Sequence, residues 1–245
     1  MKVLINGYLG QMGQNIARLV SQGIRGSQLL GGIDPRSDGT DPVCFKSFDE
    51  APGGADCIID FSSHLGTEAL TGYAVRCGIP LVIATTGQTE EELDMIKAAA
   101  EKIPVFFASN YSLGIALLVE LAKKTALAMP DAEIEIIEKH HNRKVDAPSG
   151  TALTLAKEIS AVRGGEIVCG RSGFGKRSAT EIGISSIRMG NIVGEHEVII
   201  GTANQTITLK HEAHDRALFA EGALAAAEFI IGKEPALYDM KSLVG

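Results

Sequence analysis

The stretch that most restricts the fold is "KVLINGYLGQMGQNIARLV", residues 2–20. A short apolar run, Val3 to Ile5, enters a turn with glycines at 7, 10 and 13, and apolar residues then recur at helical spacing. A strand that feeds a helix through such a turn opens a βαβ unit and aims backbone amides at an anion. The G-x-x-G-x-x-G spacing departs from the usual dinucleotide fingerprint, and glycines at such a turn also serve close packing. Context favours the ligand reading, because Asp34 closes the second apolar run about 20 residues on, where an acid meets a ribose hydroxyl. Asp34 argues for NAD and Arg36 offsets its repulsion of a 2′-phosphate. NADH or NADPH is therefore expected, with NADH slightly favoured.

The same rhythm continues. Candidate strands at 3–5, 29–33, 57–61, 80–85 and 104–108 alternate with helix-period segments, the pattern of a Rossmann-like parallel sheet. Ligands bind such sheets at the carboxyl ends of the strands, so "ATTG" (84–87) and "ASNY" (108–111) are candidates for the nicotinamide side. A helix over 115–129 stops at Pro130, and the pattern then changes. "AEIEIIEKHH" alternates as a strand with one buried face. Further strands at 182–188, 195–202 and 205–211 have no helices between them, which predicts an α+β domain with a mixed sheet. Residues 215–231 are again helical, with Asp215 as the N-cap, and are expected to return to the first domain. The domains are thus 1–109 with 215–245 for the dinucleotide and 110–214 for the substrate. The glycine- and cation-rich loop 163–181 is expected to be the most mobile.

Composition removes several function classes. With 23 Lys+Arg against 30 Asp+Glu, the net charge of −7 provides no broad footprint for nucleic acid. Cys44, Cys57, Cys77 and Cys169 are scattered, which suits neither a disulfide framework nor a zinc site. The apolar stretch "GIALLVELA" is broken by Glu120, short of a membrane span. "MKVLING" leaves no room for an export signal, so the cytoplasm is the expected location.

Chemistry concentrates in "EKHHNRKVDAPSGTAL", residues 138–153. His140 and His141 end a strand and Lys144 follows in a loop. A lone histidine is usually a surface or satisfied core residue, but here Arg143 and Lys144 stand beside both rings. That company disfavours a divalent metal and suits an anionic substrate with proton transfer near neutral pH. Ser149, Gly150 and Thr151 start the next helix and present amides and hydroxyls suited to a carboxylate; simple N-capping by Ser149 is the plainer alternative. The spacing alone supports an anion site with acid/base capacity. "HEAH" (211–214) lacks the spacing of a zinc motif and reads as structural.

These stretches together resemble the dihydrodipicolinate reductase family, the 4-hydroxy-tetrahydrodipicolinate reductases of bacterial lysine biosynthesis. The resemblance spans the chain through "GYLGQMG", "IDFS", "ATTG", "ASNYSLG", "EIIEKHHNRKVDAPSGTA", "RMGNIVGEHEV" and "LYDM". It implies reduction of a cyclic imine dicarboxylate by NADH or NADPH in a homotetramer assembled through the C-terminal sheets. By position it implies His140 as proton donor/acceptor and Lys144 as a proton-donating, substrate-polarising cation, with His141, Gly150 and Thr151 on the substrate. It places Gly7, Tyr8, Leu9, Gly10, Gln11, Met12, Asp34, Ala84, Thr85, Thr86, Ala108, Ser109, Asn110 and Tyr111 at the cofactor. It also implies closure at hinges near Asn110 and residue 215. Two departures are visible: Pro35 stands where many members have Arg, and Ala84 where many have Gly. Competing readings are a non-catalytic dinucleotide sensor, which would not require an acid/base cluster, and another two-domain dehydrogenase acting on an amino acid.

Overall fold

Short apolar runs buried on both faces make the first sheet. In the computed structural model, which describes residues 1–245, Val3, Ile5, Ile59, Val82 and Phe106 pack to one side, and Leu4, Ile58, Leu81, Ile83 and Val105 to the other. Such runs suit parallel strands covered by helices on both faces. In chain order the elements are β1 (Lys2–Asn6), α1 (Gln11–Ser21), β2 (Gln28–Ile33), β3 (Cys44–Phe45), β4 (Cys57–Asp60), α2 (Thr67–Cys77), β5 (Leu81–Ile83), α3 (Glu90–Ala100) and β6 (Pro104–Phe107). There follow α4 (Leu113–Ala128), β7 (Glu133–His140), α5 (Gly150–Arg163), β8 (Ile167–Cys169), β9 (Ile182–Arg188), β10 (Gly194–Gly201) and β11 (Thr206–Ala213). The chain ends with α6 (Ala217–Ile230), β12 (Ala236–Tyr238) and α7 (Met240–Val244).

The chain divides into two compact units, Met1–Ser112 with Ala217–Gly245, and Leu113–Arg216. The first unit holds a seven-stranded sheet, ordered β12-β6-β5-β4-β1-β2-β3, with every pair parallel. Helices α1 and α6 bury Ile16, Leu19, Val20 and Leu224 on one face, and α2 and α3 bury Leu70, Tyr73 and Ile96 on the other. Because β1 has β4 on one side and β2 on the other, the strand order reverses at β1. A crevice at the carboxyl ends is the usual ligand position at such a reversal. Helix α3 is started by a full capping box between Thr89 and Glu92, which uses the acidic first turn visible in the sequence. Helix α6 begins at Ala217, so Asp215 lies one residue outside the N-cap position. No helix is long and apolar enough to cross a membrane.

The second unit is a mixed five-stranded sheet, ordered β11-β10-β7-β9-β8. Strand β7 pairs antiparallel with β10 and parallel with β9. The alternation in "EIEIIEKH" sends Ile134 and Ile136 inward, where Leu118 and Ala122 of α4 and Leu155, Ala156 and Ile159 of α5 cover them. The segment expected to be the most mobile contains β8, and Arg177 within it is anchored on the Ile134 and Glu181 carbonyls and on Glu135. Its positive charge is thus matched locally.

Candidate active site

In the first unit, β1 ends at Asn6 and the glycine turn follows directly. Gly7 has φ +81°, and a Cβ there would overlap the Phe61 carbonyl after β4; one on Gly13 would overlap the Gly7 carbonyl. These two glycines therefore bring turn, helix and neighbouring loop together. The amides of Gly7 and Tyr8 donate to the Ile33 carbonyl, Leu9 to Asp34 Oδ2 and Gly10 to the Gly7 carbonyl. Four of the turn's expected cofactor-facing amides are thus engaged within the protein. Gln11 and Met12, the first helical residues, have no intrahelical acceptor, and Gly10 provides no side-chain cap. The helix also has no acidic residue in its first turn, which leaves its positive end open to an anion.

Asp34 is buried at the end of β2. Arg36 donates to it from its backbone N (3.1 Å), Nε (2.8 Å) and Nη2 (2.8 Å). The Arg36 hydrogen bond is the main cause holding the Asp34 carboxyl below its usual range, against the opposing effect of burial. At the ends of β4 and β5 lies a network the sequence reading did not assign. Asp60 Oδ1 accepts from Asn6 Nδ2 at 2.7 Å and Ser62 Oγ at 2.5 Å, and its carboxyl also bonds the Thr85 side chain. Thr85 Oγ1 in turn accepts from the Ser62 amide. Burial pushes the Asp60 carboxyl up, and its neutral partners offset this only in part. Ala84 donates from its amide to the Asp60 carbonyl, while Thr86 and Ser109 are exposed. The Ala108 amide donates to the Ile83 carbonyl, and Asn110 Oδ1 accepts from the Ser112 amide. The side chains of Tyr8 and Tyr111 are core, 8% and 2% exposed, with the Tyr111 hydroxyl donating to the Ile83 carbonyl.

In the second unit, β7 ends in the proton-transfer candidate. His140 is nearly buried, and its Nδ1 lies 2.6 Å from Glu138 Oε2. Glu138 is fully buried and also accepts from Arg188 Nη1 (2.8 Å), Arg188 Nη2 (2.6 Å) and the Ser149 amide (3.1 Å). Burial alone pushes the Glu138 carboxyl up, but bonds from Arg188, Ser186, His140 and Ser149 outweigh it and hold it at about 2. The His196 ring stands edge-on to His140, centroids 5.2 Å apart. Burial, then the neighbouring His140, lowers His196 to about 4, so it is neutral at physiological pH.

Lys144 Nζ pairs with Asp146 Oδ1 at 2.8 Å, and that bond holds the Asp146 carboxyl low. Asp146 thereby acquires the role the sequence did not reveal, since it holds the Lys144 ammonium. Burial and then Arg143 lower His141, whose Nδ1 is buried without a partner. Ser149 caps α5, its Oγ accepting from the Ala152 amide and lying 3.1 Å from His196 Nε2. With its amide on Glu138 and its hydroxyl engaged, the buried Ser149 frames the site. Gly150 and Thr151 follow it as the first two residues of α5. Glu138, Arg188 and His196 were missed by residue type, yet a signal existed. Glu138 and His140 share the inward phase of Ile134 and Ile136, so the alternation alone buries a carboxylate beside the histidine.

Comparison with known proteins settles the family. Residues 1–111 match the profile described as dihydrodipicolinate reductase, N-terminus, and residues 114–244 match its C-terminus. The chain belongs to the dihydrodipicolinate reductase family. A 4-hydroxy-tetrahydrodipicolinate reductase of Caldanaerobacter subterraneus subsp. tengcongensis is 42% identical over 247 residues, covering 100% of this chain and 98% of its own. One from Caulobacter vibrioides is 40% identical over 253 residues, covering 100% and 97%. The dipicolinate-bound dihydrodipicolinate reductase of Paenisporosarcina sp. TG-14 superposes with a TM-score of 0.79 at 26% identity, covering 98% of this chain and 97% of that one. The chain is accordingly an oxidoreductase with a Rossmann-like parallel sheet and a second, mixed sheet.

Proposed function

We propose that the protein catalyses the NAD(P)H-dependent reduction of 4-hydroxy-tetrahydrodipicolinate to tetrahydrodipicolinate, in diaminopimelate and lysine biosynthesis in the cytoplasm. The observation that carries this reading is the end of β7, where a nearly buried histidine has one ring nitrogen fixed by a carboxylate. A lysine and the N-terminus of a helix lie in the same short segment. The names of the relatives support the substrate, and dipicolinate, the ligand of the Paenisporosarcina enzyme, is a ring dicarboxylate of the same kind.

A reduced nicotinamide, when bound, supplies the hydride. The 4-hydroxyl leaves as water to give the conjugated imine, the hydride enters at the carbon it vacates, and His140 gives a proton from Nε2 to the adjacent ring carbon. Lys144, exchanged from Asp146, stabilises electron density moving toward the ring nitrogen. The amides of Gly150 and Thr151 at the positive end of α5 hold a carboxylate, and His141, in the loop after β7, has a buried Nδ1 without a partner. For the cofactor, the open start of α1 suits a pyrophosphate and Asp34 a ribose hydroxyl. The Arg36 side chain, 67% exposed, is available to a 2′-phosphate. Both cofactors are therefore used, with NADH slightly preferred. The homotetramer is assigned to the sheet face of the second unit opposite α4 and α5, where Ile137, Ile199 and the Lys139–Glu195 pair are half-buried.

The test is oxidation of NADH and of NADPH with the condensation product of pyruvate and aspartate semialdehyde. Steady turnover with both is expected. Cofactor binding without turnover would favour the sensor, and turnover with an amino acid alone would favour the other dehydrogenase.

A further inference from the structure

Glu138 has a role in this reaction that no substrate contact gives it. Its side chain is fully buried two residues before the proton donor on the same strand. Oε2 takes His140 Nδ1 and Arg188 Nη1, and Oε1 takes Arg188 Nη2 and the Ser149 amide. A carboxylate has about four lone-pair sites, so these bonds and the one from Ser186 fill it. Two bonds from the Arg188 guanidinium and one from the Ser149 amide favour the ionised form, and the group is held as a negative charge. An ionised carboxylate only accepts, so the nitrogen of His140 facing it must carry hydrogen. The other nitrogen, Nε2, is then the one whose proton comes and goes. Gly194 of β10 keeps the space beside Nε2 open, because a Cβ there would come within 3.1 Å of it.

The same carboxylate reaches the substrate-binding helix. Ser149, whose amide Glu138 holds, is the N-cap of α5. We propose that Glu138 is a positioning residue that locks His140 in the Nδ1-protonated form and, through Ser149, sets the register between the proton donor and the carboxylate-binding end of α5. This rests on the reading of His140 as proton donor. Protonated at Nε2, the ring gives that proton to the substrate carbon and becomes neutral. Nδ1–H stays on Glu138, and Nε2 takes a new proton from solvent. Arg188, from the neighbouring β9, keeps Glu138 ionised. The other charged or titratable groups around the ring are neutral His196 on β10, and His141 and Lys144 in the loop after β7.

The first test is nitrogen NMR of the histidine rings in the whole protein, with the His140 signals assigned by their loss in His140→Gln. In both the neutral and the charged ring Nδ1 should carry hydrogen, and only Nε2 should gain and lose its proton. A neutral ring protonated at Nε2 would overturn the proposal whatever the activity. The second is Glu138→Gln, with folding checked by circular dichroism. kcat should fall roughly 10- to 100-fold, a part of what general acid catalysis supplies, with substrate KM within about threefold. Removing the negative charge destabilises the imidazolium, so the pH profile of kcat should change, which a merely structural role would not produce. A folded variant with unchanged kcat and profile would overturn the proposal. If the variant does not fold, the ring NMR of the unsubstituted protein decides. If His140→Ala keeps full turnover, the proton-donor reading falls while the NMR still decides whether Glu138 fixes the ring.

Discussion

Two carboxylates are buried at strand ends, and they are built in opposite ways. Asp60, at the end of β4, is surrounded by Asn6, Ser62 and Thr85, all neutral, and burial raises its carboxyl. Glu138, near the end of β7, is likewise shielded from solvent but faces Arg188 and His140, and is held at about 2. The difference teaches that burial alone does not set the state of a carboxyl; the charge of its partners decides which way it moves. Asp60 ties together the loops after β1, β4 and β5, a task that asks for hydrogen bonds and no charge. Glu138 stands behind a group that moves a proton, where a permanent charge has chemical use.

The comparison is tested most severely by activity. His140→Ala is expected to lower kcat by about 10²- to 10⁴-fold, the usual contribution of a positioned acid, with NADH affinity within about twofold. Asp60→Asn should act the other way, raising the cofactor KM several-fold while the pH profile of kcat keeps its shape; steady-state kinetics of both variants separates the effects. Next in size is stability. Arg188→Met removes the counter-ion of Glu138 and should cost about 3 to 5 kcal/mol in urea unfolding, the usual consequence of leaving a buried charge alone. Asp60→Asn, which keeps neutral partners, should cost no more than about 1.5 kcal/mol. Equal losses would mean that the two sites are not distinguished by charge.

Much of this molecule is legible in its sequence, for identifiable reasons. The unbroken apolar runs at 3–5, 57–59 and 81–83 report a sheet buried on both faces. Strands β3, β8 and β12, of two or three residues, are too short to leave a period. At the site, the residue types at 140, 144 and 149–151 announce anion binding and proton transfer. What the sequence does not convey is which polar groups are already engaged. Ser149 reads as a ligand and is a buried strut, Asp34 reads as a free acid and holds Arg36, and Asp146 has no visible task until it is found on Lys144. Arg188 is 50 residues from Glu138, and only strand pairing, which sets His140 beside Arg188, brings it there.

One measurement tests most directly the central claim that charged partners lower one buried carboxyl while burial among neutral partners raises the other. It is the pH dependence of the stability difference between each isosteric variant and the unsubstituted protein. Glu138 has its folded value lowered from 4.5 to about 2, so it contributes stability above its unfolded value and loses it as pH falls toward 2. Glu138→Gln should therefore become relatively worse as pH rises from 2 to 4.5, by roughly 3 kcal/mol in all. Asp60 is raised from 3.8, so its folded form loses stability as pH climbs above that value, and Asp60→Asn should become relatively better. Denaturant titrations should therefore show slopes of opposite sign, the Glu138→Gln one between pH 2 and 4.5 and the Asp60→Asn one above pH 3.8. Slopes of the same sign would contradict the account.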